Sequence, residues 1–233
     1  MVMTSRRVHR DTEAEAADPT EVEADSAPPQ AEPETDHTPP QAEAQQSKFP
    51  RMPVTPREFV DWLPPMPGLH IEVVNGRVIV SPRGNPQQSW IIGQLVRHLG
   101  PIADKRDWDV WPELDVCIAW TRDPLIPDFA MGPEDAPRWG DDEILSNGLV
   151  LVAEVVSRSS VREDREDKPV IYAKGGVPFM LVIDPIAEPP TVSLWSDPGD
   201  DGYHTITKVK MGEELPIPEP VDYVLDTSAF IKG

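Results

Sequence analysis

The apolar and polar positions of the chain divide it into segments of distinct period. Thr55, then Pro56, then Glu58 three residues on, has the form of a capping box with proline in the first turn. TPREFVDWL therefore predicts a short helix, ended by Pro64 and Pro65. Two β-branched runs, LHIEVV and RVIVS, flank Asn75 and Gly76 and predict a hairpin of residues 69–74 and 77–81 around a type I′ turn. Ile91, Leu95 and Leu99 recur at helical spacing, with Trp90, Ile92 and Val96 widening the face. They predict a helix over 87–100, stopped or kinked at Gly100 and Pro101. WDVWPELDVCIAW reads as two strands broken at Pro112, and LIPDFAM (125–131) as a short strand beginning at a proline. Residues 148–157 are almost continuously apolar, as a strand buried on both faces requires. REDREDKPVIYAKGG predicts a helix stopping at Gly175 and Gly176. VPFMLVIDP predicts a second buried strand with a turn at Asp184 and Pro185, and TVSLWS and YHTITKVK predict antiparallel outer strands. This order implies an α/β or mixed α+β sheet flanked by helices.

Composition divides the chain differently. Residues 1–48 contain no Ile, Leu, Phe, Trp or Tyr, and hold 11 acidic against 4 basic residues. Such a segment cannot bury enough apolar surface to offset the entropy of ordering it. An acidic, Pro/Glu/Ala-rich disordered tail is expected over 1–48, and a folded domain over 49–233, where all 7 Trp lie. No apolar run reaches the ~18 residues of a membrane span. The basic start lacks the apolar stretch of a secretory signal, and the cytoplasm is the default compartment. Cys117 stands alone, so neither an intramolecular disulfide nor a Cys-based zinc site is expected. The five histidines show no ligand spacing. The net charge of −20 argues against a passive nucleic-acid coat, whose affinity would come from clustered Lys and Arg. It leaves room for an enzyme that meets DNA locally.

Three carboxylates change the picture. Glu72 interrupts LHIEVV, Asp128 sits in LIPDFAM, and Glu154 interrupts LVLVAEVV. Any one alone reads as an edge-strand charge facing water. Together inside apolar strands they would repel one another and raise their pKa values unless a cation sits among them. Hard oxygen ligands suit magnesium or manganese. After Glu154, residues Asp164, Lys168, Tyr172 and Gly176 follow at intervals of four, close to one stripe of a helix. The plain alternative is a solvated face with one Asp–Lys pair. Five cations (Arg158, Arg162, Arg165, Lys168 and Lys174) also make this stretch the least acidic place for a polyanion to land.

In chain order, the capped helix is followed by Glu72 with Gly76, Ser81–Pro82, Pro127–Asp128, Glu154 to Ser157, Asp164 through Lys168 and Tyr172 to Gly176, and Asp184–Pro185. From Met52 to about Asp226 this set resembles the Uma-type restriction endonuclease family, a bacterial branch of the PD-(D/E)XK nuclease superfamily. The resemblance implies a restriction-endonuclease-like core and a divalent metal on Asp128 and Glu154, with Glu72 as a further acidic site residue and Lys168 as the catalytic lysine. The superfamily lysine usually lies two residues after the glutamate. Here that place is Val156, whose backbone carbonyl is the expected remaining metal ligand. The branch often has a histidine where Gln88 stands, and Pro169 directly follows Lys168. The reading is a magnesium- or manganese-dependent endonuclease acting on DNA, with no membrane partner and with a homodimer among its open assemblies. Its rivals are a non-catalytic nucleic-acid- or protein-binding regulatory module that keeps the fold, and a hydrolase of small phosphorylated ligands.

Overall fold

A computed structural model of the protein describes residues 51–232, and the tail expected over 1–48 lies outside the described residues. Helix α1 (Pro56–Trp62) starts on the capping box: Thr55 Oγ1 accepts from the Glu58 N–H, and the Glu58 carboxylate accepts from the Thr55 N–H. This helix buries no residue. Arg57 ties it down by reaching both oxygens of Glu143, at 2.6 and 2.8 Å. Strands β1 (Leu69–Val74) and β2 (Arg77–Pro82) form the expected hairpin, with positive φ at both Asn75 (49°) and Gly76 (72°).

Helix α2 (Pro86–Asp104) does not stop at Gly100 but runs through Pro101. The proline lies in the last turn, where its missing N–H costs a single helical bond. Ala103, buried like Leu95 and Leu99 before it, holds the helix on the core beyond that point. Next come β3 (Trp108–Pro112), the two-residue strands β4 (Val116–Cys117) and β5 (Pro124–Leu125), β6 (Phe129–Pro133), β7 (Arg138–Trp139) and β8 (Glu143–Leu145). The single strand expected over 125–131 is in fact broken. Pro127 has no N–H for a ladder, and Asp128 sits in a bend between β5 and β6. Its Oδ2 takes the Val155 N–H at 2.6 Å, so a side chain stands where a backbone acceptor would continue the ladder.

Strand β9 (Leu151–Val155) is buried throughout. The helix expected after it is interrupted by a π turn at Glu163–Asp167 before α3 (Lys168–Lys174). Pro169 brings no N–H and crowds the carbonyl of Arg165. The Lys168 N–H bonds instead to Glu163 O, five residues back. Gly176, at φ +79°, ends the segment. Strands β10 (Phe179–Asp184), β11 (Thr191–Gly199) and β12 (Gly202–Lys210) follow, then the hairpin β13 (Glu214–Ile217) and β14 (Tyr223–Asp226).

The main sheet has the order β12-β11-β10-β9-β6-β3. Only β9 and β10 run parallel, joined by the crossover that carries α3. Alternation along β9 assigns its side chains to two cores. Leu151, Ala153 and Val155 pack with α2 residues such as Ile91, Leu95 and Leu99. Val152 and Val156 pack with Ile171, Tyr172 and Ala173 of α3 and with the small sheet β5-β4-β8-β7. Each fully buried aliphatic side chain stabilises the fold by about 1.5–3 kcal/mol. Glu154 lies between Ala153 and Val155, so it points to the α3 side. Among the described residues no helix is long and apolar enough to cross a membrane.

Candidate active site

Glu72, Asp128, Glu154 and Lys168 line one cavity of about 440 Å³, although 96 positions separate the first from the last. Four segments bring them there: β1, the bend before β6, the centre of the sheet on β9, and the junction of the π turn with α3. Lys168 sits at the middle. Its Nζ lies 2.9 Å from Glu72 Oε1, 3.0 Å from Glu154 Oε1 and 3.6 Å from Asp164 Oδ1. All four of these residues are buried, with Glu154 and Asp164 each 2% exposed. Tyr172, one turn beyond Lys168, donates its hydroxyl to Glu154 Oε1 at 2.9 Å. The stripe predicted from intervals of four thus faces the cavity residues, and the solvated-face alternative does not describe it.

Electrostatics follow from burial. Desolvation pushes Asp128 up to about 7, despite the Val155 N–H and the nearby Lys168. It also raises Glu154 and Asp164 above the usual carboxylate range, and Lys168 only partly offsets this. Burial alone would lower Lys168, yet Glu154, Glu72 and Asp164 together hold it above its ordinary value as an ammonium. The tyrosine hydroxyl is pushed up by burial and by the neighbouring carboxylates, so it remains a donor.

Among the described residues no set of three or more His, Cys, Asp or Glu side chains is arranged to hold a metal ion. The ammonium of Lys168 stands between Glu72 and Glu154. The chemistry of the donor set nonetheless suits a hard cation. Four carboxylates line the cavity and the one lysine pairs with three of them, and among the described residues no hydrogen bond reaches Asp128 Oδ1. Val156, the expected carbonyl ligand, lines the same cavity.

Asp164, part of the stripe expected from its i, i+4 spacing to Lys168, is a third buried carboxylate, bonded by Ser160 Oγ. His70 was not singled out from the sequence. His70, two residues before Glu72 on β1, also lines the cavity. Its Nε2 is buried without a hydrogen-bond partner, 3.9 Å from Glu113 Oε1. Alternation on a strand places residues 70 and 72 on one face, and that was the available signal. Gln88 caps α2 and donates Nε2 to Val155 O at 3.1 Å, so Val155 is held through its N–H by Asp128 and through its carbonyl by Gln88.

Comparison with curated proteins gives no match. Among solved structures the chain is similar to one titled as a putative nuclease belonging to DUF820 from Anabaena variabilis ATCC 29413. The TM-score is 0.59 at 19% identity, covering 76% of this chain and 97% of that one, a likeness of fold. Residues 56–228 match the sequence profile of Uma2, described as "Putative restriction endonuclease". That span takes in the capped helix, all four carboxylates, the lysine and the whole main sheet, and the chain belongs to the Uma2 family.

Proposed function

We infer that the protein is a divalent-metal-dependent endonuclease that hydrolyses DNA phosphodiester bonds. The observation that carries this reading is three buried carboxylates, Glu72, Glu154 and Asp164, around one buried lysine, with the half-buried Asp128 lining the same open cavity. Burial at this cost in charge has a purpose where a cation and a phosphate are to be held. Asp128, Glu154, Glu72 and the Val156 carbonyl would hold magnesium or manganese, and such an ion supplies Lewis acidity towards a phosphodiester. Lys168 presents a fixed ammonium beside Glu72 and Glu154, where it orients a water or offsets charge on phosphate oxygens. Tyr172 fixes the rotamer of Glu154, and Gln88 and Asp128 fix the end of β9.

The rival is a non-catalytic binding module, favoured by one observation: Lys168 already stands where a cation would balance Glu72 and Glu154. Incubating the purified full chain with supercoiled plasmid, with manganese or with a chelator, separates the two. Nicking or linearisation that needs manganese and disappears in Glu154→Ala supports the endonuclease. Intact plasmid at every enzyme concentration, with the metal present, leaves the binding module.

A further inference from the structure

A second cavity of about 430 Å³ adjoins the first, and Ile186 in the loop after β10 lines both. Arg165, Ser193, Trp195 and Lys208 are among its walls, with Asp184 and Glu188. The sheet register relates the two cavities. Glu154 pairs with Val182, Val182 with Ser193, and Ser193 with Lys208, across β9, β10, β11 and β12. Residues paired in register share a face of the sheet. Lys208 therefore stands on the same face as Glu154, three strand spacings away, roughly 14 Å at about 4.8 Å per strand. The π turn divides in the same way, with Asp164 lining the first cavity and Arg165 the second.

The two cations of this cavity differ. Arg165 is engaged by the buried Asp184, at 2.7 Å from Nε and 3.0 Å from Nη2. Lys208 is exposed, and among the described residues no carboxylate forms an ion pair with it. Trp195 is half-buried, and its indole N–H donates to Ser193 Oγ at 3.0 Å, which fixes the ring at the cavity wall. In a chain of net charge −20, a free lysine beside an aromatic ring on the catalytic face is a place where a polyanionic strand is attracted.

We propose that this second cavity is a subsite for the DNA strand whose scissile phosphate occupies the candidate active site. Lys208 takes a flanking phosphate, and Trp195 walls the nucleotide beside it. Because a duplex strand winds around the axis as it rises about 3.4 Å per nucleotide, the span corresponds to roughly two nucleotides. The subsite rests on the endonuclease reading, and the test keeps the two apart.

Cleavage kinetics of the full chain with manganese would be measured on two substrates, a duplex oligonucleotide of about 20 base pairs and thymidine 5′-p-nitrophenyl phosphate, which is too short to reach Lys208. Lys208→Glu and Lys208→Gln are compared with wild type and with Lys105→Glu, an equal charge change at the far end of α2. The expected result is a rise of roughly tenfold in the DNA-to-ester ratio of KM for Lys208→Glu, the size of one lost charge-assisted contact. The slope of log KM against log salt should flatten by about 0.9. Lys105→Glu should leave both values as in wild type. A Lys208→Glu effect equal on both substrates, absent from both, or matched by Lys105→Glu overturns the subsite while wild-type cleavage keeps the endonuclease. Failure of wild type to cut either substrate overturns both.

Discussion

Asp128 is a carboxyl held near neutrality by burial, and its titration has a definite sign. The folded value, about 7, lies above the unfolded one near 4. Its contribution to stability is therefore fully present below about pH 4 and is lost as pH rises through about 7. In metal-free buffer, Asp128→Asn should match wild type near pH 4 and exceed it by up to about 4 kcal/mol above pH 7. Urea melts across pH would measure this, and a difference independent of pH would contradict it. Lys168 carries the opposite consequence. Lys168→Met leaves Glu72, Glu154 and Asp164 facing one another, which should cost about 3–5 kcal/mol at pH 8 and less at pH 5, where the carboxylates take up protons. Glu72, Asp128 and Glu154 were legible because a charge in an apolar run is conspicuous. Asp164 was legible through its interval of four to Lys168, and His70 was not, because a histidine at one strand position is ordinary.

Among the elements, those with a long period or a strong turn signal were legible. The hairpin at Asn75 and Gly76, the cap of α1 and the two buried strands β9 and β10 lie where their residues predict. Strands of two or three residues, β4, β5, β7 and β8, carry no period to read. The extension of α2 past Pro101 depends on tertiary burial of Ala103, which outweighs one lost bond. Helix α1 buries nothing and depends on its cap and on Arg57. Thr55→Ala should cost about 1 kcal/mol. In hydrogen exchange, the amides of α1 should open well before those of α2, and equal protection of the two helices would show that α1 has another anchor.

At the scale of the molecule, one parallel pair within an otherwise antiparallel sheet places the crossover over the strand that carries Glu154. Fold class and the buried strand that carries Glu154 could be read from this order of elements. The central position of Lys168 could not, since it depends on a side chain arriving from the crossover. On the endonuclease reading, the excess of carboxylates predicts a metal response of the whole fold. Millimolar magnesium or manganese should raise Tm, by about 2.7 kcal/mol of stability at a hundredfold excess over Kd. Glu154→Gln should abolish the response, and scanning calorimetry with no shift in wild type would exclude a metal bound at this site.

The π turn at Glu163–Asp167 amounts to one residue more than an ordinary helix holds. Deleting the exposed Glu166 would remove that surplus and leave an ordinary helical turn, with the segments on either side keeping their facing. Lys168 and Tyr172 would keep their places. Asp164 would come three residues before Lys168, still its neighbour on the helix. A chain shortened by a single codon should therefore fold with its lysine still seated beside Glu154 and with the carboxylate of Asp164 still in the cavity.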